Sequence, residues 1–138
     1  MGMIYAEFEL INGEDVILAR KHLIGEDEIK RIRITALVDS GAYMLAINEN
    51  MQKFLQLPVV DKKRFQLANG EILDCAVVGP VDLRFKDRYT TCRALVLPGD
   101  SEPLLGSIPL EELDVLIDPL RQELILNPEH PDGAVLRL

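Results

Sequence analysis

The stretch that most constrains this chain runs from Arg31 to Ala42. Ile32, Ile34 and Ala36 alternate there with Arg31, Arg33 and Thr35, the period of a half-buried strand. Leu37 and Val38 break the alternation, so the strand enters the interior just ahead of Asp39. An acid at the end of a buried strand is costly unless something stabilises it. Ser40 then supplies a small hydroxyl and Gly41 permits a tight turn. The sequence therefore asks for a fold that delivers one carboxylate, on a turn, to the mouth of an apolar core.

The rest reads mostly as strands. Ile4 to Leu10 is followed by Asn12-Gly13, a hairpin-turn dipeptide, with Val16 to Ala19 as the returning strand. Glu49 to Gln56 reads as a short helix that Leu57-Pro58 ends. Phe65 to Leu67 and Ile72 to Val78 flank Asn69-Gly70 as a second hairpin, broken by Gly79-Pro80. Val81 to Phe85 and Cys92 to Leu97 are joined by the charged turn Lys86-Asp87-Arg88. Pro109 opens a helix over Ile108 to Leu113. Val115 to Asp118 and Glu123 to Leu126 make a last hairpin, and Pro128 and Pro131 mark a tail whose end is apolar enough to dock. Seven to nine short strands with one or two short helices predict a mainly β barrel or sandwich. A weak repeat links Ile32–Ala42 with Cys92–Gly106, each running from an apolar strand to a small-residue turn and on to a helix.

Composition narrows the function. The 138 residues suit one domain, and 48% hydrophobic with 28% charged residues is an ordinary globular balance. A net charge of −8 disfavours nucleic acid and anionic membranes and favours neutral or basic ligands. No run of roughly 18 apolar residues is present to span a bilayer. Glu7 and Glu9 interrupt the N-terminal stretch, so no signal peptide is expected and the chain is read as cytoplasmic. Cys75 and Cys92 lack metal-site spacing and are read as reduced thiols; His22 and His130 are isolated. No metal or other cofactor is expected.

An Asp-Ser/Thr-Gly triplet alone is weak: it arises by chance in roughly one chain of this length in twenty and suits an ordinary Asx turn. Its surroundings are more specific. Leu37 through Ala42 resembles the active-site motif of retropepsin-like aspartic proteases, apolar-apolar-Asp-Thr/Ser-Gly-Ala. Leu104-Leu105-Gly106 is similar to the family's later apolar-apolar-Gly segment, with Ser107 to Leu113 as the helix behind it. Arg64 to Val77, with its tip at Ala68-Asn69-Gly70, lies where the family places its flap hairpin. Ser40 stands for the commoner threonine, Tyr43 for a small or polar residue, and the tip has one glycine.

The resemblance implies a single-lobe acid-protease fold, a closed β-barrel over residues 1–127 with its core at 30–127, a hairpin extension at 1–29 and a tail at 128–138. It implies Asp39 as the catalytic carboxylate. Ser40, Gly41 and Ala42 would form the active-site loop, Ala68, Asn69 and Gly70 would touch substrate, and Leu105 and Gly106 would support the turn. The chain has one such motif, since Asp132-Gly133-Ala134 lacks the hydroxyl residue. The expected assembly is therefore a homodimer that brings two Asp39 carboxylates together, acting on a peptide or protein substrate. The alternatives are a non-catalytic peptide-binding or dimerisation module on the same fold, and an unrelated small barrel in which Asp39 merely caps a turn. A serine hydrolase built on Ser40 lacks a G-x-S-x-G elbow and a histidine partner.

Overall fold

The computed structural model describes residues 3–138; Met1 and Gly2, the first residues of the N-terminal stretch read above, lie outside it. In chain order the elements are β1 (Tyr5–Asn12), α1 (Gly13–Arg20), a 3-10 turn (Glu26–Glu28), β2 (Arg31–Val38), β3 (Leu45–Asn48), α2 (Glu49–Leu55), β4 (Val59–Gln66), β5 (Ile72–Phe85), β6 (Arg88–Leu97), β7 (Leu104–Leu105), α3 (Ser107–Leu113), β8 (Val115–Asp118) and β9 (Glu123–Leu126). The mainly β expectation holds, with three short helices where one or two were expected.

The main sheet runs β1-β2-β7-β3-β6-β5-β4, and β1 also pairs with β5. Leu83 of β5 faces Leu10 of β1 on one side and Thr90 of β6 on the other. Strand pairing therefore returns to β1 and encloses a core of Phe8, Leu10, Ala36, Ile47, Leu83 and Leu105, each at most 1% exposed. The β4–β5 hairpin leaves this ring as an arm, and β4 is exposed along nearly its whole length. The weak repeat has a spatial counterpart. β2 pairs in parallel with β7, β3 pairs in parallel with β6, and β3 meets β7 at the centre, so two strand–turn–strand runs interlock.

Three local expectations are corrected. Asn12-Gly13 opens a helix instead of a hairpin: the Asn12 side chain accepts a hydrogen bond from the Asp15 amide at 3.0 Å, an N-cap, with Glu14 and Asp15 in the first turn. Val16 to Ala19 is thus helical, and the first residues are part of the core, with Ile4, Ala6, Phe8 and Leu10 buried. Gly79-Pro80 does not end a strand. β5 passes through it on a bulge, with the register shifting between Val78 and Val81, where a residue without an N–H is tolerated. Arg88 is no turn residue: it starts β6 at 2% exposure. Its guanidinium donates to the His130 carbonyl and lies 3.5 Å from Asp87 and 3.7 Å from Asp114.

The tail docks through Asp114, in the left-handed C-cap of α3. Asp114 accepts from the Asn127 side chain and the Val135 amide, both at 3.0 Å, and meets His130 Nδ1 at 2.6 Å. The Val135 amide contributes most to holding its carboxyl down at about 2, followed by Asn127 and then His130. Cys75 and Cys92 are both free thiols. Burial pushes the Cys92 thiol up to about 12, far from a reactive thiolate.

Candidate active site

Each arm of the Asp39 turn is fixed by its neighbours. On the incoming side, β1 pairs antiparallel with β2, and the Val38 amide donates to the Ile4 carbonyl at 2.8 Å. The Leu37 amide donates to Pro103 and the Asp39 amide to Leu105, each at 3.0 Å. On the outgoing side, β3 is buried at every position. Both arms therefore grip β7, and the turn projects from the seam between them.

Inside the turn the Ala42 amide donates to the Asp39 carbonyl at 3.0 Å. The Gly41 amide donates to Asp39 Oδ1, also at 3.0 Å. That bond fixes one carboxylate oxygen, and among the described residues the other oxygen takes no hydrogen bond. Asp39 is half-buried while Ser40 and Gly41 are exposed. The carboxylate thus sits at the protein surface with a defined orientation. The Ser40 hydroxyl makes no hydrogen bond within the chain among the described residues.

The segment after β7 closes on the turn from behind. The Ser107 amide donates to the Ala42 carbonyl at 2.8 Å and the Ile108 amide to Tyr43 at 3.3 Å. The start of α3 is thereby stapled to the Asp39 turn. Leu105 is fully buried under it. Gly106 lies against the backbone of Met44, where a Cβ would stand 2.3 Å from the carbonyl oxygen. Asp39, Ser40, Gly41, Ala42, Leu105 and Gly106 are therefore one cluster.

Ala68, Asn69 and Gly70 lie apart from that cluster in the hydrogen-bond network. They form the exposed tip of the β4–β5 arm. The Leu67 amide donates to Glu71 at 2.8 Å, the Gly70 amide to Leu67 at 2.9 Å, and the Glu71 amide to Asn69 Oδ1 at 3.0 Å. Gly70 has φ +88, a conformation glycine adopts at no steric cost.

What sequence reasoning missed is the support from the N-terminus. Ile4 and Tyr5 flank the very residues that carry Asp39. The apolar alternation of Ile4, Ala6, Phe8 and Leu10 was the signal that placed this stretch in the core. Among the described residues no group of three or more His, Cys, Asp or Glu could hold a metal ion. No helix there is long and apolar enough to cross a membrane.

Comparison with known proteins adds two findings. The sequence profile of the family described as Aspartyl protease matches residues 26–108, from the 3-10 turn through β2, the Asp39 turn and the hairpin arm to the start of α3. Among solved structures, the retroviral protease-like domain of Ddi1 from Leishmania major aligns over 93% of this chain and 90% of that one. Its TM-score is 0.58 at 15% identity, a likeness of fold. No curated protein matches the sequence.

Proposed function

The chain belongs to the aspartyl protease family, and from that premise we propose that it is a homodimeric aspartic endopeptidase whose catalytic pair is Asp39 from each of two copies. The observation that carries this reading is the state of Asp39. Gly41 holds one carboxylate oxygen, the other is free of hydrogen bonds among the described residues, and the turn sits on a seam braced from both sides. Such a group is oriented for chemistry outside its own chain.

Peptide hydrolysis of this kind needs two carboxylates close enough to share one proton. Like charges at that distance resist joint ionisation, so the two titrations of the pair split apart. The ionised member takes a proton from a bound water, which attacks the scissile carbonyl carbon. The protonated member donates to the carbonyl oxygen. One motif per chain supplies one carboxylate, and a two-fold axis beside the turn supplies the second. The unused hydroxyl of Ser40 is available there to brace the partner's turn. The β4–β5 arm, with β4 and the tip exposed, suits a flap that lies over an extended substrate and binds it through main-chain hydrogen bonds.

The test is cleavage of a peptide library by the purified protein and by Asp39→Asn, across about pH 4 to 7, at concentrations that maintain a dimer. Cleavage that disappears in a folded Asp39→Asn dimer is the expected result. Peptide binding without cleavage by the wild type would replace this reading with that of a binding module.

A further inference from the structure

The outer face at the far end of β2 carries a second concentration of chemistry, unrelated to the Asp39 turn. Strand register builds it in two rungs. Tyr89, Arg84, Glu9 and Arg33 lie abreast across β6, β5, β1 and β2; Thr91, Asp82, Ile11 and Arg31 form the next rung. Residues directly opposite share a face, so all eight side chains belong to the outer face of the sheet, where Ile11 and Asp82 are buried. α1 then covers part of this face, leaving an open pocket of about 490 Å³ lined by Arg20, Arg31, Arg84, Tyr89, Ile11 and Val16.

The charge there runs against that of the protein. The chain as a whole is −8, yet the pocket lining holds three arginines and one carboxylate, Glu26, with Glu9 beside Arg31 and the Asp82 carboxyl, on which the Arg20 charge acts, beneath. Arg31 is partly satisfied by Glu9 at 3.8 Å. Arg20 and Arg84 form no ion pair among the described residues. Arg84 instead lies over the Tyr89 ring, 5.7 Å from its centroid. That ring is held in place, because the Tyr89 hydroxyl donates to the buried Asp82, which also accepts from Thr91 at 2.8 Å. Both Asp82 oxygens are thus engaged by hydroxyls beneath the pocket.

We propose that this pocket is a binding site for a small phosphomonoester with an aromatic or apolar body. Guanidinium groups match phosphate oxygens two at a time, and Arg20 and Arg84, neither in an ion pair among the described residues, suit a dianion. The volume falls in the range of small-ligand sites and exceeds what a phosphate group fills. Ile11, Val16 and the Tyr89 face supply the apolar wall for the remainder. Arg31 and Asp39 stand at opposite ends of β2, a separation of roughly 25 Å along the strand. The site is therefore independent of the proposed protease chemistry.

The experiment is calorimetric titration of the full chain with phenyl phosphate at low ionic strength, against Arg20→Ala, Arg84→Ala and Arg33→Ala. Arg33 pairs with Glu7 at 3.5 Å and lies outside this pocket, so it controls for general surface charge. Saturable binding is expected, weakened roughly tenfold by each of the first two substitutions and unchanged by the third. All three positions are exposed, and unchanged melting temperatures will show that the variants fold. Absence of saturable binding, or wild-type affinity in both Arg20→Ala and Arg84→Ala, overturns the proposal. Equal affinity for inorganic phosphate overturns the assignment of an organic body.

Discussion

A Cβ placed on Gly106 would stand 2.3 Å from the carbonyl oxygen of Met44 and 2.8 Å from its amide nitrogen. The contact is between backbones, so no side chain can rotate to relieve it. It joins the second apolar-Gly segment to the arm that leaves the Asp39 turn. Gly106→Ala must push α3 away from Ala42 and Tyr43. We expect a loss of about 1–3 kcal/mol in unfolding free energy, read by urea denaturation. Activity should fall further than the change in folded fraction explains. A variant as stable as wild type would show that the two segments separate without strain.

Asn12 does two jobs with one side chain. Its oxygen caps α1 through the Asp15 amide at 3.0 Å, and its nitrogen donates to the Leu55 carbonyl at 2.8 Å, tying α1 to the end of α2. The residue is 3% exposed. Asn12→Ala removes the cap and strands a buried carbonyl, for an expected cost of about 2–3 kcal/mol. Asn12→Asp keeps the cap but not the donor, and should fall between the two in melting temperature.

The tail makes a prediction about pH. The folded Asp114 carboxyl sits at about 2, below the ordinary carboxylate value near 3.9. A depressed folded pKa favours the folded state above the unfolded value, and that contribution is lost as pH falls through the folded one. The attachment of the tail should therefore be complete above about pH 4 and released as the pH approaches about 2. The Val135 amide resonance, whose proton is given to Asp114, should report that transition by NMR. In Asp114→Asn it should show no such titration.

The hairpin tip separates folding from function. Gly70 has φ +88 and open space around its missing Cβ. Gly70→Val is strained only in backbone conformation, on an arm outside the core. Melting temperature should change little, while kcat/KM for a cleaved peptide falls roughly tenfold if the tip closes over substrate. Unaltered kinetics would remove the arm from the substrate site.

The strand that ends in Asp39 was legible because two independent patterns coincide there. Its alternation gives the buried face, and the Leu37–Ala42 motif gives the turn. Gly106 was legible by its place after Leu104-Leu105. Other features turn on contacts that no local pattern encodes. Four apolar residues, Val16 to Ala19, fit a strand or a helix equally, and only the cap made by Asn12 decides. Pro80 signals a break in isolation, but a bulge in β5 where it pairs with β6 absorbs it. Arg88 is buried because Asp114 and the His130 carbonyl, distant in sequence, come to meet it. The independent contribution of the N-terminus to the Asp39 turn depends on pairing between β1 and β2, which the hairpin reading of Asn12-Gly13 concealed.

The central claim is that two Asp39 carboxylates, from separate chains, form one catalytic pair. Mixing tests it most directly. Wild-type protein is exchanged with a threefold excess of Asp39→Asn, mixed dimers are verified by native mass spectrometry, and cleavage is measured per wild-type chain. Because a mixed dimer holds one ionisable Asp39, activity should drop to roughly one quarter. Activity per wild-type chain that stays constant in the presence of mixed dimers would contradict the account, since each chain would then be catalytically complete.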